Sequence, residues 1–189
     1  MSDMDSKGCV LCLGYFDGVH RGHQSLIMTA ANIASETGLS VSVHTFDKCP
    51  SSFITGKPIL TLTLRDEREF WLRYFGTQNI YTSSFEEGLM NMPGIQFLER
   101  ILRPWTNFKY LVAGTDHRFG KSADTGASEL KAYCSSEGIG CKLIEPVCSA
   151  DGQKISSTRI RDCITMGRND EAFEMLGHSI KLLSDENVQ

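Results

Sequence analysis

Between Leu13 and Ile27 the chain reads Leu-Gly-Tyr-Phe-Asp-Gly-Val-His-Arg-Gly-His-Gln-Ser-Leu-Ile, and this stretch narrows the fold more than any other. Val10, Leu11 and Leu13 before it read as a short buried strand. Leu26, Ile27, Ala30, Ala31, Ile33 and Ala34 after it follow a helical spacing. A strand, a glycine-rich turn and a helix start make an anion site, because the first N–H groups of a helix lack acceptors and its dipole favours negative charge there. Gly22 lets a phosphate approach the backbone without meeting a Cβ. His20 precedes the helix and His23 lies in its first turn, so both imidazoles are candidates for one phosphate. As a metal site the pair lacks further ligands at a recognisable spacing, and no metal site is expected.

Further along, strands alternate with helices. Strands are expected at Gly8–Leu13, Leu39–Phe46, Gln78–Ser83, Tyr110–Ala113 and Cys141–Val147. Helices are expected at Gly22–Thr37 (closed by Gly38), Arg65–Phe75, Gly94–Leu102 (stopped near Pro104), Ala127–Ser136, Ser157–Met166 and Asp170–Leu176. The pattern predicts an α/β, Rossmann-like doubly wound parallel sheet, whose ligands bind beyond the carboxyl ends of the strands. The segments after residues 13, 46, 113 and 147 then converge on one crevice. Asp47–Leu60, with Pro50, Gly56 and Pro58, reads as a long functional or mobile connection. One domain is expected over residues 8–180, with loose tails at 1–7 and 181–189.

Near the other end, Ile155-Ser156-Ser157-Thr158-Arg159-Ile160-Arg161 opens a second helix with exposed donors. Ser156 reads as its N-cap. Helical side chains lean toward the N-terminus, so Arg161 leans back onto an anion held there. Arg159, two positions away, faces nearly the opposite side, and Arg161 is the one expected to point inward. Gly114-Thr115-Asp116-His117-Arg118-Phe119-Gly120-Lys121-Ser122 imitates a P-loop, but five residues rather than four separate the glycines, so that reading is rejected.

Net charge is −4 with no run of Lys or Arg, which argues against a nucleic-acid partner. The seven cysteines are odd in number and scattered, and all read as reduced thiols. Cys9 and Cys12 face opposite sides of a strand and do not chelate one metal. The first residues lack the apolar core of a signal peptide, and no run is long enough to span a membrane; a cytoplasmic protein is expected.

Gly14-Tyr15-Phe16-Asp17-Gly18-Val19-His20-Arg21-Gly22-His23 resembles the His-x-Gly-His signature of the nucleotidyltransferase superfamily. In its Phe-Asp-Gly-Val-His form it is most similar to the adenylyltransferase module of prokaryotic FAD synthetases, the bifunctional riboflavin kinase/FMN adenylyltransferases. Ser156-Ser157-Thr158-Arg159-Ile160-Arg161 resembles the second phosphate motif of that module. Gly114-Thr115-Asp116-His117-Arg118-Phe119-Gly120 resembles its Gly-x-Asp-Phe-Arg-Phe-Gly string, with His117 in place of Phe. Thr45-Phe46-Asp47-Lys48-Cys49-Pro50 resembles Thr-Phe-Asp-Pro-His-Pro, with Lys48 and Cys49 substituted. Arg168-Asn169-Asp170 stands where the family often has an acidic residue directly after the glycine. The resemblance covers residues 8–180, with Leu176-Gly177-His178 at the family's module junction.

The resemblance implies transfer of AMP from ATP to FMN, giving FAD and pyrophosphate by direct in-line attack, with Mg2+ accompanying ATP. It implies His20, His23 and Arg161 as catalytic residues. Gly14, Tyr15, Phe16, Gly22, Asp116, Ser156, Ser157 and Thr158 join His23 and Arg161 as nucleotide contacts. Phe46, Asp47, Lys48 and Phe53 are the implied flavin contacts. No kinase activity is expected, because the family's kinase barrel does not follow. Two other readings stay open: a nucleotidyltransferase with a different phosphate or alcohol acceptor, and a catalytically decayed flavin or nucleotide binder.

Overall fold

The computed structural model describes residues 7–180; of the expected tails, all but Lys7 lies outside the described residues. Strand β1 (Cys9–Leu13) is buried along its whole length, as its unbroken apolar run requires of a central parallel strand. It is followed by α1 (Arg21–Thr37), β2 (Ser40–Phe46), α2 (Pro50–Thr55), α3 (Arg65–Tyr74) and β3 (Asn79–Ser83). Then come α4 (Glu87–Met90), α5 (Gly94–Phe97), a π-helical turn at Leu98–Leu102, α6 (Arg103–Thr106), β4 (Phe108–Gly114) and α7 (Ala127–Ser136). The chain continues through β5 (Gly140–Ile144), α8 (Ser157–Thr165) and α9 (Asn169–Leu176).

All five strands are parallel, in the order β3-β2-β1-β4-β5. The order reverses between β1 and β4, the place where a doubly wound sheet opens a crevice for ligand. Leu13 pairs with His44, and Gly114 with Ile144, so the loops leaving four strands start at nearly one level.

Alternation of side chains along β1 supplies both faces of the core. Cys9, Leu11 and Leu13 pack with Leu98, Leu102, Leu111 and Leu130 on one face. Val10 and Cys12 pack with Ile27, Ala30, Val41 and Leu72 on the other. The Cys9 thiol donates to the Thr106 carbonyl (3.2 Å) and the Cys12 thiol to that of Leu26 (3.7 Å), each on its own side. All seven cysteines are free thiols. A third cluster joins Ile160, Met175 and Leu176 of the α8–α9 pair, and Ile155 just before α8, to Leu62, and so fastens the late helices to the loop before α3.

Three expectations about elements are corrected. The helix from Gly94 does not stop near Pro104 but runs on to Thr106. Its π turn sends the Arg103 N–H to the Leu98 carbonyl, five residues back, and this shifts the carbonyl that an α-helix would press against the proline ring. Pro104 then sits in the first turn of α6, where an absent N–H costs little. Strand β5 ends at Ile144 rather than 147, because Pro146 has no N–H to extend the ladder. The 47–60 connection contains α2, which starts on Pro50 and is closed by Gly56 in the left-handed region (φ 65°).

Candidate active site

The loop from β1 into α1 is held in a conformation that its residues do not favour. Phe16 (φ 61°), Gly18 (φ 74°) and Val19 (φ 37°) are all left-handed, and for a β-branched residue such as Val19 that is a true outlier. The surroundings hold it from many sides. The Phe16 carbonyl accepts from the Val19 N–H, Asp17's from the Ser157 hydroxyl (2.9 Å), and Val19's from Gln24 Nε2 (2.9 Å). The Gly18 carbonyl meets His178 Nε2 (2.9 Å), and its N–H donates to Thr63 Oγ1 (3.1 Å). The carbonyls of Phe16, Asp17, Gly18 and Val19 are therefore all satisfied within the protein, which leaves none of them to repel an anion in the crevice.

His20 caps α1, its Nδ1 accepting the His23 N–H (3.4 Å). Because Nδ1 accepts, the neutral ring carries its proton on Nε2, which is then free to donate. The His20 and His23 rings stack at 3.7 Å and 15°, and Phe16 tilts against His23 at 5.1 Å. A Cβ on Gly22 would stand 3.1 Å from Cε1 of His20, so glycine is what lets the capping ring lie flat there. Burial pulls the His20 pKa down to about 4, and the nearby Lys154 and Arg161 push the same way. Burial also holds His23 well below the usual imidazole value. At neutral pH both rings are uncharged donors rather than cations.

The start of α8 lies directly across. The same Cβ built on Gly22 would reach 4.0 Å from the Ile155 carbonyl. Ser156 caps α8 by accepting the Arg159 N–H (3.3 Å). Arg161 turns inward: one Nη lies 2.6 Å from Oδ2 of Asp17, and the other donates to Thr158 Oγ1 (3.2 Å). Asp17 is buried and also accepts the N–H groups of Leu62 (2.8 Å) and Thr63 (3.3 Å). Burial pushes its carboxyl up, while Arg161 and those amides pull it back. Arg159 points the other way, onto Ser149, Asp151 and the Gln153 carbonyl of a neighbouring loop.

These groups share one cavity of about 890 Å³. Gly14, Tyr15, Phe16, Asp17, His20, Gly22 and His23 form part of its wall, with Asp116, Ser156, Ser157, Thr158 and Arg161 opposite. The other end is apolar, built from Phe46, Phe85, Leu89, Met92, Phe97 and Phe119. Of the four implied flavin contacts only Phe46 reaches the wall. Asp47 instead accepts from the Ser84 hydroxyl (2.8 Å) and the Phe85 N–H (2.9 Å), fixing the loop after β3. Lys48 faces away and is exposed. Phe53 packs edge-on against Phe85 while Ile54, one position on, meets the cavity. The turn of α2 makes the difference: it rotates Cys49, Pro50, Ser51 and Ile54 inward.

Several wall residues escaped the sequence reading. Lys154 forms an ion pair with Asp116 across the crevice. Its position two residues before Ser156 was the available signal. His117 also lines the cavity, stacking on Phe119 (5.5 Å, 24°), and burial takes its pKa down to about 4. Among the described residues no group of three or more His, Cys, Asp or Glu side chains is placed to hold a metal, and no helix is long and apolar enough to cross a membrane.

The family model for FAD synthetase matches residues 2–159. A FAD synthetase of Listeria monocytogenes is 35% identical over 178 residues, covering 92% of this chain and 70% of that protein. The bifunctional riboflavin kinase/FMN adenylyltransferase of Bacillus subtilis is 32% identical over 89% of this chain and 53% of its own length. The chain thus spans about half the length of that bifunctional relative. A Streptococcus pneumoniae crystal structure, called a macrolide-efflux protein, has a TM-score of 0.78 at 33% identity, over 90% of this chain and 56% of that one. A Francisella tularensis pantoate-beta-alanine ligase shares the fold alone, with a TM-score of 0.55 and 14% identity over 91% of this chain and 72% of that one. A match over most of the sequence and a sheet that opens at the expected point lead to one conclusion: this chain belongs to the FAD synthetase family.

Proposed function

We propose that this chain is an FMN adenylyltransferase, forming FAD and pyrophosphate from FMN and ATP. The observation that supports it best is the shape of one cavity. Two helix N-termini, those of α1 and α8, meet at its polar end, and an aromatic pocket lies at the other. The polar end suits a triphosphate and the aromatic end a flat ring system.

In this reading the FMN phosphate oxygen attacks the α-phosphorus of ATP in line, and the bond to pyrophosphate breaks. Neutral His20 and His23 donate to the triphosphate and to charge growing on the transferred phosphate. Arg161, Ser156, Ser157 and Thr158 receive the pyrophosphate end. Arg161 has to leave or share its bond to Asp17, and Lys154 its bond to Asp116, when the phosphates arrive. Asp116, an exposed oxygen donor on the crevice wall, is the carboxylate that would meet a hard cation such as magnesium, which would offset the charge of ATP. The side chains need only position and stabilise, with no covalent enzyme intermediate.

The test is direct. Purified protein with MgATP and FMN should yield FAD and pyrophosphate in equal amounts, separated by chromatography. Riboflavin in place of FMN should give none, since it has no phosphate to serve as the nucleophile. Tight ATP and FMN binding with no product would overturn the enzymatic reading. Pyrophosphate release that depends on some other acceptor would overturn the choice of FMN.

A further inference from the structure

Helix α3 is built against its own polarity. Phe70 and Tyr74 are 58% and 69% exposed, while Arg68 is 1% exposed and shares the buried face with Leu72. The Arg68 guanidinium has no carboxylate partner among the ion pairs of the described residues. One Nη donates to the Phe46 carbonyl (2.9 Å), and the guanidinium also meets the Tyr15 phenol and the field of the buried Asp17 carboxylate. The cation also lies 4.4 Å from the centre of the Tyr15 ring. Tyr15 and Phe46 are both cavity wall. They stand at the ends of the adjacent strands β1 and β2, Tyr15 two residues beyond β1 and Phe46 at the last position of β2, within the aromatic pocket.

A buried charge held by one carbonyl and the Tyr15 side chain, and in no ion pair of its own among the described residues, is a poor packing device. An apolar side chain of the same volume would fill the space without the desolvation cost. What Arg68 supplies that leucine or methionine cannot is a fork that ties two loops together and a fixed positive charge behind the wall. The reaction needs both there, because two phosphate groups of like charge must be brought into line, and a cation in a low-dielectric setting offsets that repulsion.

We propose that Arg68 is a positioning residue for the acceptor: through Tyr15 and the Phe46 carbonyl it sets the wall against which a flavin phosphate monoester is held and presents positive potential to that phosphate. The inference rests on the adenylyltransferase reading above. It assigns to Arg68 selectivity for the phosphorylated acceptor, with little bearing on ATP.

The experiment compares wild type, Arg68→Met and Arg68→Lys in steady state, varying FMN and ATP separately. FMN binding is followed by flavin fluorescence, and melting temperature is measured alongside. Arg68→Met should raise KM for FMN by about 10- to 100-fold, the scale of a misplaced reactant, and leave KM for ATP within about threefold. Its melting temperature should be unchanged or higher. Arg68→Lys keeps the charge but not the fork, so its KM for FMN should fall between the two. A lowered melting temperature with both KM values moving together, or no change in KM for FMN, would overturn the proposal and leave Arg68 a brace. Should Arg68→Met be insoluble, Arg68→Lys decides alone: a wild-type KM for FMN sinks the proposal. A wild type that binds FMN yet makes no FAD removes the parent reading only, since weakened FMN binding by Arg68→Met still reports the positioning role. A wild type that binds neither substrate removes both.

Discussion

One Nη of Arg161 lies 2.6 Å from the carboxylate of Asp17, a contact that joins residues 144 positions apart. It ties the second motif to the first. Asp17 also takes two backbone N–H groups from Leu62 and Thr63, so a single buried carboxylate holds three separate stretches of chain. Asp17→Ala should therefore destabilise the fold by about 3–5 kcal/mol, because it strands a cation and two buried donors. Asp17→Asn, which can still accept, should lose less. Urea unfolding of both variants checks this, and equal stability of Asp17→Ala and wild type would contradict it.

Arg159 and Arg161 offer a paired comparison on one helix. Arg161 faces the cavity, and Arg159 braces the loop at Ser149–Gln153. Arg161→Ala should lower kcat/KM for FAD formation by about 100-fold or more, the cost of a lost transition-state donor. Arg159→Ala should stay within about fivefold, the range of a partly exposed ion pair. The reverse order would mean that α8 presents its other face to the phosphates.

His20 and His23 stack but differ in their structural duties. His23→Ala should reduce turnover by about 10²–10³ with unfolding unchanged. His20→Ala should reduce turnover similarly and also lose about 1 kcal/mol of stability, because it removes the cap of α1. Turnover near the wild-type value in a folded His23→Ala protein would remove that imidazole from the mechanism.

Gly22→Ala tests the stack without touching either histidine. The added methyl would come within 3.1 Å of the His20 ring and force it to turn. Alanine is otherwise welcome in a helix. Turnover should drop about tenfold or more while melting temperature holds, since a small displacement of an aligned group is costly in rate. Unchanged turnover would show that the stacked arrangement is not needed.

Stability should fall on acidification. Burial lowers His20 and His117 to about 4 and His44 to about 3, against about 6.5 in an unfolded chain. Below pH 6.5 the unfolded chain takes up protons that the folded chain refuses, so stability is complete above that value and declines as pH falls toward 4. Unfolding free energy at pH 7.5, 6 and 5 should decrease in that order. A flat profile would mean that these imidazoles titrate normally in the fold.

How much of this was legible beforehand follows from the range of the forces involved. The strand, turn and helix around His20 could be read directly, because apolar spacing and glycine placement act over a few residues. Helix geometry alone puts Arg159 and Arg161 on opposite faces of α8; which of the two turns inward was settled by the contacts of Arg161 with Asp17 and of Arg159 with Ser149. The two phosphate motifs could be named from the chain, but their meeting required the sheet order β3-β2-β1-β4-β5. Tertiary structure alone decided that Lys48 and Phe53 turn from the cavity, since the short helix α2 rotates that loop. It alone decided that Arg68 goes inside while Phe70 stays out, against the rule that charge seeks water. The sequence determines local elements because sterics and solvation of neighbouring residues settle them. Which charge is buried, and beside which carbonyl or ring, depends on distant segments that become neighbours only when the sheet closes.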